Sequence, residues 1–358
     1  MNQNLRISCV PSVEWPRSDR EVLDDAFQAS SDLLDVAGSL GHLSEPQKTA
    51  VYNAYGRWLG FLANVSADGD ISSGLDHMSR DNLSAFIARL ESYLAPYSIA
   101  NYVMQLATAV RAMNPEHEME YLSNAARYLS RTAKPKHDKR KRLKPTQELY
   151  ELGFDRMQLA QVVMDPISAA AVFRDGLMIA LLAARPVRLA NLASIEINRH
   201  LERQGEEYWL IFPAEEVKTR RHLEFPLPRD LIEPLQVYLS RHRPILMTRN
   251  GRWNTGPHDG LWVSAHGSKL SAGHIEKLIG TRTHERFGHS INPHLFRDAA
   301  ATSIAIEDPD HVGIVAAILG HSTFRTSERY YNQATSLEAA RRFQAAIESF
   351  RDAPGDRP

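Results

Sequence analysis

The residues from Asn292 to Asn332 contain side chains that can take part in phosphoryl transfer. They include a histidine and an arginine close together, a second histidine, and two adjacent tyrosines: His294, Arg297, His321, Tyr330 and Tyr331. A tyrosine is a suitable nucleophile towards phosphorus, and its phenolate is also a fair leaving group. An arginine fork can hold two phosphate oxygens, and a histidine can donate a hydrogen bond or accept a proton.

A helix is predicted to present the first two of these groups. Asn292 can cap it, and Pro293 fits the first helical position because its missing N–H costs nothing there. His294 and Arg297 are then at positions i and i+3, so both side chains leave one face of the helix.

Two more short helices are predicted to carry the remaining groups. The second begins at the Asp-Pro pair 308–309 and stops at Gly320, which places His321 on a turn. The third begins near residue 326 and carries the tyrosine pair. The three helices together must therefore position these groups.

The order His-x-x-Arg, then Leu-Gly-His, then a tyrosine nine residues after that histidine resembles the tyrosine recombinases, the phage-integrase family. The resemblance covers roughly residues 44–350 and is strongest over 174–332. The spacing from His321 favours Tyr330, with Tyr331 as its rival.

The resemblance extends to an arginine and a lysine earlier in the chain. Arg188 begins a predicted helix after a long buried one, as a catalytic arginine of the family does, and Arg185 is its rival. Lys218 lies on a predicted β-hairpin, where the family carries a catalytic lysine. The family usually has an acidic residue three positions after the arginine, but this chain has Asn191.

The resemblance implies a role for each of these residues. Tyr330 is the nucleophile and forms a 3′-phosphotyrosyl intermediate, while Arg188 and Arg297 stabilise the pentacoordinate transition state. Lys218 is the general acid for the leaving 5′ oxygen.

The histidines have supporting roles in this scheme. His294 is a candidate base, and His321 is a candidate hydrogen-bond donor to the phosphate. They do not have the spacing of zinc ligands, and the chain has no HExxH motif or cysteine cluster. We therefore expect neither a metal nor another cofactor.

The hydrophobic pattern, together with the resemblance, predicts a mainly α protein with a small β-sheet (α+β). A helical N-terminal core-binding domain is followed by a mixed α/β catalytic domain of the tyrosine-recombinase type. The expected segments are an N-terminal arm of unknown role, the core-binding domain, a basic linker, the catalytic domain and a tail: 1–43, 44–133, 134–144, 145–350 and 351–358.

Charge is distributed unevenly along the chain. The formal net charge is −1, yet residues 1–133 carry −6 and the remainder carries +5. Basic side chains in the linker can bind phosphates without sequence specificity, and the alternative is a linker that is merely solvated. The candidates are Lys134, Lys136, Lys139, Arg140, Lys141, Arg142 and Lys144.

Composition excludes several other classes of protein. No stretch approaches the roughly 20 apolar residues of a transmembrane helix, and the N-terminus has no signal-peptide pattern. The single cysteine, Cys9, excludes an internal disulfide and fits a reducing compartment. We expect a cytoplasmic protein that is associated with the nucleoid when it binds DNA.

The predicted function is that of a site-specific DNA recombinase of the integrase type, which cleaves and rejoins DNA without a metal. The resemblance implies double-stranded recombination sites as partners, a homo-tetramer on DNA, an accessory DNA-bending protein and a mobile element as context. The alternatives are a catalytically inert or accessory DNA-binding relative and a type IB topoisomerase-like activity.

Overall fold

The computed structural model describes most of the chain up to residue 307. The described ranges are 6–29, 38–65, 72–116, 119–134, 142–248 and 256–307. The chain divides into two compact units, Met1–Asp138 and Lys139–Pro358, called here the helical unit and the C-terminal unit. The described elements are mostly helices, with one small antiparallel sheet, which confirms the predicted fold class.

The described part of the helical unit consists of helices around an aromatic core. Its elements are a 3₁₀ turn Ser12–Glu14, α1 (Arg17–Ala26), α2 (Glu45–Val65), α3 (Arg80–Glu91), α4 (Pro96–Met113) and α5 (Glu120–Thr132). Trp58 is completely buried, and its ring centroid lies 5.6 Å from that of Phe61 and 5.4 Å from that of Phe86. Apolar residues recur on one face of each helix because that face packs into this core.

Described residues near the N-terminus belong to this core, although the sequence separates 1–43 as an arm. Ile7, Trp15 and Leu23 are buried in the same cluster as the side chains of α2. The N-terminal segment approaches α2 so closely that a Cβ atom at Gly56 would lie 2.4 Å from the Val10 carbonyl oxygen. The approach is possible because glycine has no Cβ atom. This contact depends on glycine, so an apolar stripe alone does not reveal it.

A buried carboxylate joins three segments of the helical unit. Asp19 of α1 accepts hydrogen bonds from the Tyr55 hydroxyl at 2.6 Å, the Ser73 hydroxyl at 2.7 Å and the Gly74 N–H at 2.7 Å. Burial and the hydrogen bond to Asp19 raise the pKa of Tyr55, which therefore stays a neutral donor at physiological pH. Among the described residues no basic side chain pairs with this carboxylate, and the three donors replace the water that it loses on burial.

The C-terminal unit is built on one long apolar helix. Its described helices are α6 (Thr146–Leu159), α7 (Pro166–Ala184), α8 (Leu189–Ser194), α9 (Ile232–Val237), α10 (Arg243–Met247), α11 (Ala272–Phe287) and α12 (Pro293–Glu307). Within the described residues, α7 alone meets the length and hydropathy of a membrane span, with 19 residues and a mean hydropathy of 1.7. It is 67% buried and packs in the core, as the sequence predicts.

Helices α6 and α7 approach each other through glycines. A Cβ atom at Gly153 would lie 2.7 Å from the Gly176 carbonyl oxygen, and one at Gly176 would lie 2.5 Å from the Gly153 carbonyl oxygen. Neither helix backbone can move away without losing the apolar contacts around it. Glycine is therefore required at both positions, despite its low helix propensity.

Charged residues of α7 are buried and paired. Arg174 contacts Asp175 at 2.5 Å and donates to the Val263 carbonyl oxygen at 2.5 Å. Asp175 also accepts from Arg282 of α11 at 2.9 Å, and Arg282 pairs with Glu285 at 2.8 Å. This network fixes α11 against α7, because each buried charge has a partner of opposite sign.

The sheet is a three-stranded antiparallel meander. Its strands are β1 (Leu201–Gln204), β2 (Glu207–Phe212) and β3 (Leu223–Pro226), in the order β1-β2-β3. The predicted hairpin corresponds to β2 and β3. Between α8 and β1, Glu196 and Ile197 make only isolated bridges, because Asn198 adopts a positive φ of 63° and turns the chain before β1 begins.

We predict that Asp19→Ala destabilises the helical unit by about 3 kcal/mol, because three donors lose a buried acceptor. Urea unfolding of the full chain, followed by hydrogen–deuterium exchange in α2, measures this loss. Asp25→Ala on the same helix removes an exposed carboxylate and serves as the matched control. Equal losses of stability in the two variants would contradict the role of Asp19 as a buried acceptor.

Candidate active site

Arg188 stands at the start of a short helix, where the sequence predicts it. It is the N-cap residue of α8, with extended backbone angles of φ −66° and ψ 149°, and its carbonyl oxygen accepts from the Leu192 N–H at 2.9 Å. Burial lowers the pKa of the Arg188 guanidinium, although an arginine keeps its charge at neutral pH. A half-buried cation at a helix N-terminus favours a bound anion.

Arg185, the rival of Arg188, is occupied by backbone carbonyl groups. Its Nε and Nη2 atoms donate to the Pro226 carbonyl oxygen at 3.0 Å and 2.7 Å, and its Nη1 donates to the Ala184 carbonyl oxygen at 2.9 Å. Arg185 therefore attaches β3 to the end of α7. This structural role keeps Arg188 as our candidate for binding a phosphate.

Helix α12 begins as the sequence predicts. The Asn292 side chain accepts from the Leu295 N–H at 3.1 Å, and Pro293 is the first helical residue. The preceding segment is fixed to α11, because the Ile291 N–H donates to the Thr283 hydroxyl at 2.8 Å. The cap and this attachment set the direction of the helix that carries His294 and Arg297.

The two candidate residues on α12 differ in exposure. Arg297 is 6% exposed, and its Nη1 donates to the carbonyl oxygen of Pro186, two residues before Arg188. His294 is exposed, and its Nε2 lies 3.9 Å from the Asp298 carboxylate. The Arg297 contact brings α12 to the segment that carries Arg188.

Lys218 is an exposed residue on the connection between β2 and β3. This connection begins with a 3₁₀ turn, Ala214–Glu216, and continues with a turn in which the Arg220 N–H donates to the Val217 carbonyl oxygen at 2.7 Å. Arg220 has a positive φ of 54°, so an arginine takes the position that glycine usually fills. Val217 is buried and holds the connection on the core.

Asn191 joins this connection to α8. The Asn191 side chain is buried, and its Nδ2 donates to the Glu216 carbonyl oxygen at 3.1 Å. Asn191 is one helical turn after Arg188, and Glu216 is two residues before Lys218. The structure thus connects the segments that carry Arg188, Lys218 and Arg297 by hydrogen bonds.

The sequence identifies Asn191 only as a departure from the family pattern, and it gives no role to Glu216. A polar side chain at a buried helical position is a signal of a required hydrogen-bond partner. The partner itself is 25 residues away, so the pattern does not identify it.

Other predicted site residues lie outside the described part of the chain. These are His321, Tyr330, its rival Tyr331, and the linker residues Lys136, Lys139, Arg140 and Lys141. Of the described linker residues, Lys134 is exposed and Arg142 is half-buried. Lys144 lies 3.8 Å from the Glu148 carboxylate and 5.2 Å from the centre of the Phe287 ring.

The described part of the site is cationic in character. Arginine forks can hold the non-bridging oxygens of a phosphodiester, and a lysine ammonium can give a proton to a leaving oxygen. In the ranges that the structure describes, no cluster of three or more His, Cys, Asp or Glu residues has an arrangement suited to a metal ion.

Comparisons with known proteins agree with this fold. The model of the phage integrase family matches residues 154–336. The structure is similar to the XerH site-specific recombinase bound to palindromic difH substrate in a post-cleavage complex, with a TM-score of 0.58, 17% identity, and coverage of 95% of this chain and 98% of that one. A pre-cleavage complex of XerH with difH gives a TM-score of 0.57, 15% identity, and coverage of 95% and 99%. A search of curated proteins found no significant match.

We predict that Arg185→Ala lowers the free energy of unfolding of the C-terminal unit by about 2 kcal/mol, because hydrogen bonds from a charged donor to the Pro226 carbonyl are lost. Urea unfolding of the full chain measures the change. Arg203→Ala is the matched control, because that guanidinium donates to the Gly205 carbonyl oxygen at an exposed turn. A larger effect at Arg203 than at Arg185 would contradict the structural role of Arg185.

Proposed function

Because the chain belongs to the phage integrase family, the tyrosine recombinases, we propose that it is a site-specific DNA recombinase that forms a 3′-phosphotyrosyl intermediate. One observation carries the proposal beyond family membership. Hydrogen bonds connect the segments of Arg188, Lys218 and Arg297, which supports the proposal that their two guanidinium groups and one ammonium group act on the same phosphate.

The proposed reaction replaces one phosphodiester by another. The Tyr330 hydroxyl oxygen attacks phosphorus and gives its proton to His294 as the base. The bond from phosphorus to the 5′ oxygen breaks, and its electron pair stays on that oxygen, which takes a proton from Lys218. The phosphotyrosyl bond keeps the energy of the original bond, so a second 5′ hydroxyl can reverse the reaction.

The arginines stabilise the charge that develops on the non-bridging oxygens. Arg188 and Arg297 are permanently charged, and their planar forks match the geometry of phosphate oxygens. The contact of Arg297 with the Pro186 carbonyl fixes its guanidinium before substrate binds. Such preorganised charge lowers the barrier because little reorganisation is needed during the reaction. His321 adds a hydrogen bond to the same phosphate.

The proposed partners are double-stranded DNA recombination sites. The helical unit supplies the core-binding domain, and the basic linker, including the exposed Lys134, contacts the phosphate backbone. The similar solved structures are recombinases described as bound to difH substrate, which supports DNA as the ligand. We propose that the protein binds two such sites as a homo-tetramer. Its proposed location is the cytoplasm and the nucleoid, and the proposed genetic context is a mobile element.

The nucleophile can be tested with a suicide substrate. DNA flanking the gene is screened for a segment that the protein retains, and that duplex is nicked near the cleavage position so that the released fragment diffuses away. We expect the wild type and Tyr331→Phe to form a covalent protein–DNA adduct in the presence of EDTA, and Tyr330→Phe to form none. A denaturing gel detects the adduct.

The other outcomes of this test are also informative. Loss of the adduct only in Tyr331→Phe would keep the class of enzyme and reject the assignment of Tyr330. No adduct from the wild type on a duplex that it retains would reject the recombinase proposal and favour an inert DNA-binding relative. An adduct accompanied by relaxation of supercoils, without strand exchange, would favour a topoisomerase.

We predict that Arg188→Ala slows adduct formation by about a hundredfold to a thousandfold, because one preorganised cation is lost from the transition state. The rate with the nicked duplex measures this, and a gel shift verifies that the variant still retains the DNA. Arg203→Ala, at an exposed turn, should react at the wild-type rate. Equal rates for Arg188→Ala and the wild type would contradict the phosphate-binding role.

A further inference from the structure

Glu216 is at the centre of a hydrogen-bonded group beside the proposed general acid. We propose that Asn191, Glu216 and His200 are positioning residues, which hold the turn of Lys218 so that its ammonium group reaches the leaving 5′ oxygen. This inference rests on the proposed function, because it concerns the acid of that reaction. The lysine is exposed on a connection, so packing of its own side chain does not place it.

The backbone of Glu216 is held from α8. Its carbonyl oxygen accepts from the Asn191 Nδ2 at 3.1 Å, and Asn191 is only 3% exposed. Arg188 begins the same helix, one turn earlier. A single rigid helix therefore sets both the proposed phosphate-binding arginine and the turn of Lys218.

The side chain of Glu216 is held by two residues that precede β1, Arg199 and His200. One carboxylate oxygen lies 2.7 Å from Nε2 of His200, and the other accepts from Arg199. His200 is completely buried, and its Nδ1 accepts the Glu196 N–H at 3.1 Å. Because Nδ1 is an acceptor, Nε2 carries the proton and donates to Glu216.

The support of His200 extends to two further elements. Its ring stacks on Phe212, at the end of β2, with centroids 5.4 Å apart. Glu196 accepts from Lys269 at 2.9 Å and pairs with Arg199 at 3.1 Å, and these hydrogen bonds lower the pKa of Glu196 to about 2. The group thus joins α8, the sheet and the segment before α11, so Glu216 is held by more than one element.

The amide at position 191 is specific to this arrangement. A carbonyl oxygen needs a donor, and an ionised carboxylate has none. The family usually carries an acidic residue at this position, and its carboxylate would face the Glu216 carbonyl oxygen, so that two acceptors would meet. Asn191→Asp is therefore expected to release the turn of Lys218, even though the two side chains have almost the same shape. Asn191→Leu has no donor at any pH and tests the same contact without a charge.

The test separates positioning of the acid from general damage to the site. Two nicked duplexes are compared, one with the ordinary phosphodiester and one with sulfur in place of the bridging 5′ oxygen at the cleavage position. A thiolate leaves without a proton, because the pKa of a thiol lies far below that of an alcohol. Lys218→Ala is the reference variant, expected to be slow on the phosphodiester and restored on the sulfur substrate.

We expect both Asn191 variants to slow adduct formation by about a hundredfold on the phosphodiester and to regain a rate close to the wild type on the sulfur substrate. Glu216→Gln keeps the backbone carbonyl that accepts from Asn191 but loses the charge opposite Arg199. It should slow adduct formation less on the phosphodiester and recover in the same way on the sulfur substrate. Gln147→Leu is the control, since it removes an exposed amide bond to Glu151 in the same unit and should not change either rate.

Each other result overturns the inference. If the Asn191 variants were slowed equally on both duplexes, Asn191 would support the site as a whole and not the acid in particular. If their rates were unchanged, Asn191 would have no part in catalysis. A wild type that forms the adduct, with a Lys218→Ala variant that sulfur does not restore, would reject Lys218 as the acid while the recombinase class stands. A wild type that forms no adduct on either duplex would reject the proposed function itself.

Discussion

Arginine side chains that donate to backbone carbonyl groups hold described irregular segments of the C-terminal unit in place. Arg174 donates to Val263, Arg185 to Pro226, Arg243 to Gly260 and Arg297 to Pro186. A charged donor on a carbonyl is a stronger restraint than a neutral hydrogen bond. Of these four arginines, Arg297 holds the segment that carries Arg188, the proposed phosphate ligand.

Regular elements and their caps are the part of this structure that the sequence predicts well. Helix α7 is the long buried helix that the sequence predicts before Arg188, and Asn292 caps α12 with Pro293 in the first position. These features are local, because capping and apolar periodicity depend on residues within a few positions of each other. Arg188 occupies the predicted N-terminus of its helix for the same reason.

Contacts between distant residues are the part that the sequence does not predict. Arg185 and Arg188 are both plausible phosphate ligands until the structure shows Arg185 on the Pro226 carbonyl, 41 residues away. The role of Asn191 depends in the same way on the place of Glu216. The packing of residues before Leu23 on α2 depends on the absence of a side chain at Gly56, which carries no hydrophobic signal. Family resemblance supplies the catalytic pattern but not these supports.

The buried charges of α7 have a consequence for how the chain is made. This helix is synthesised well before α11, whose first residue is Ala272, and at ordinary translation speeds the interval is roughly 5 to 20 seconds. During that time Asp175 lacks Arg282, while an apolar helix as hydrophobic as a membrane span is already outside the ribosome. Helix α6 precedes it and packs on it through Gly153 and Gly176 in the folded chain, so a partner for one face of α7 has been synthesised before the rest of the unit.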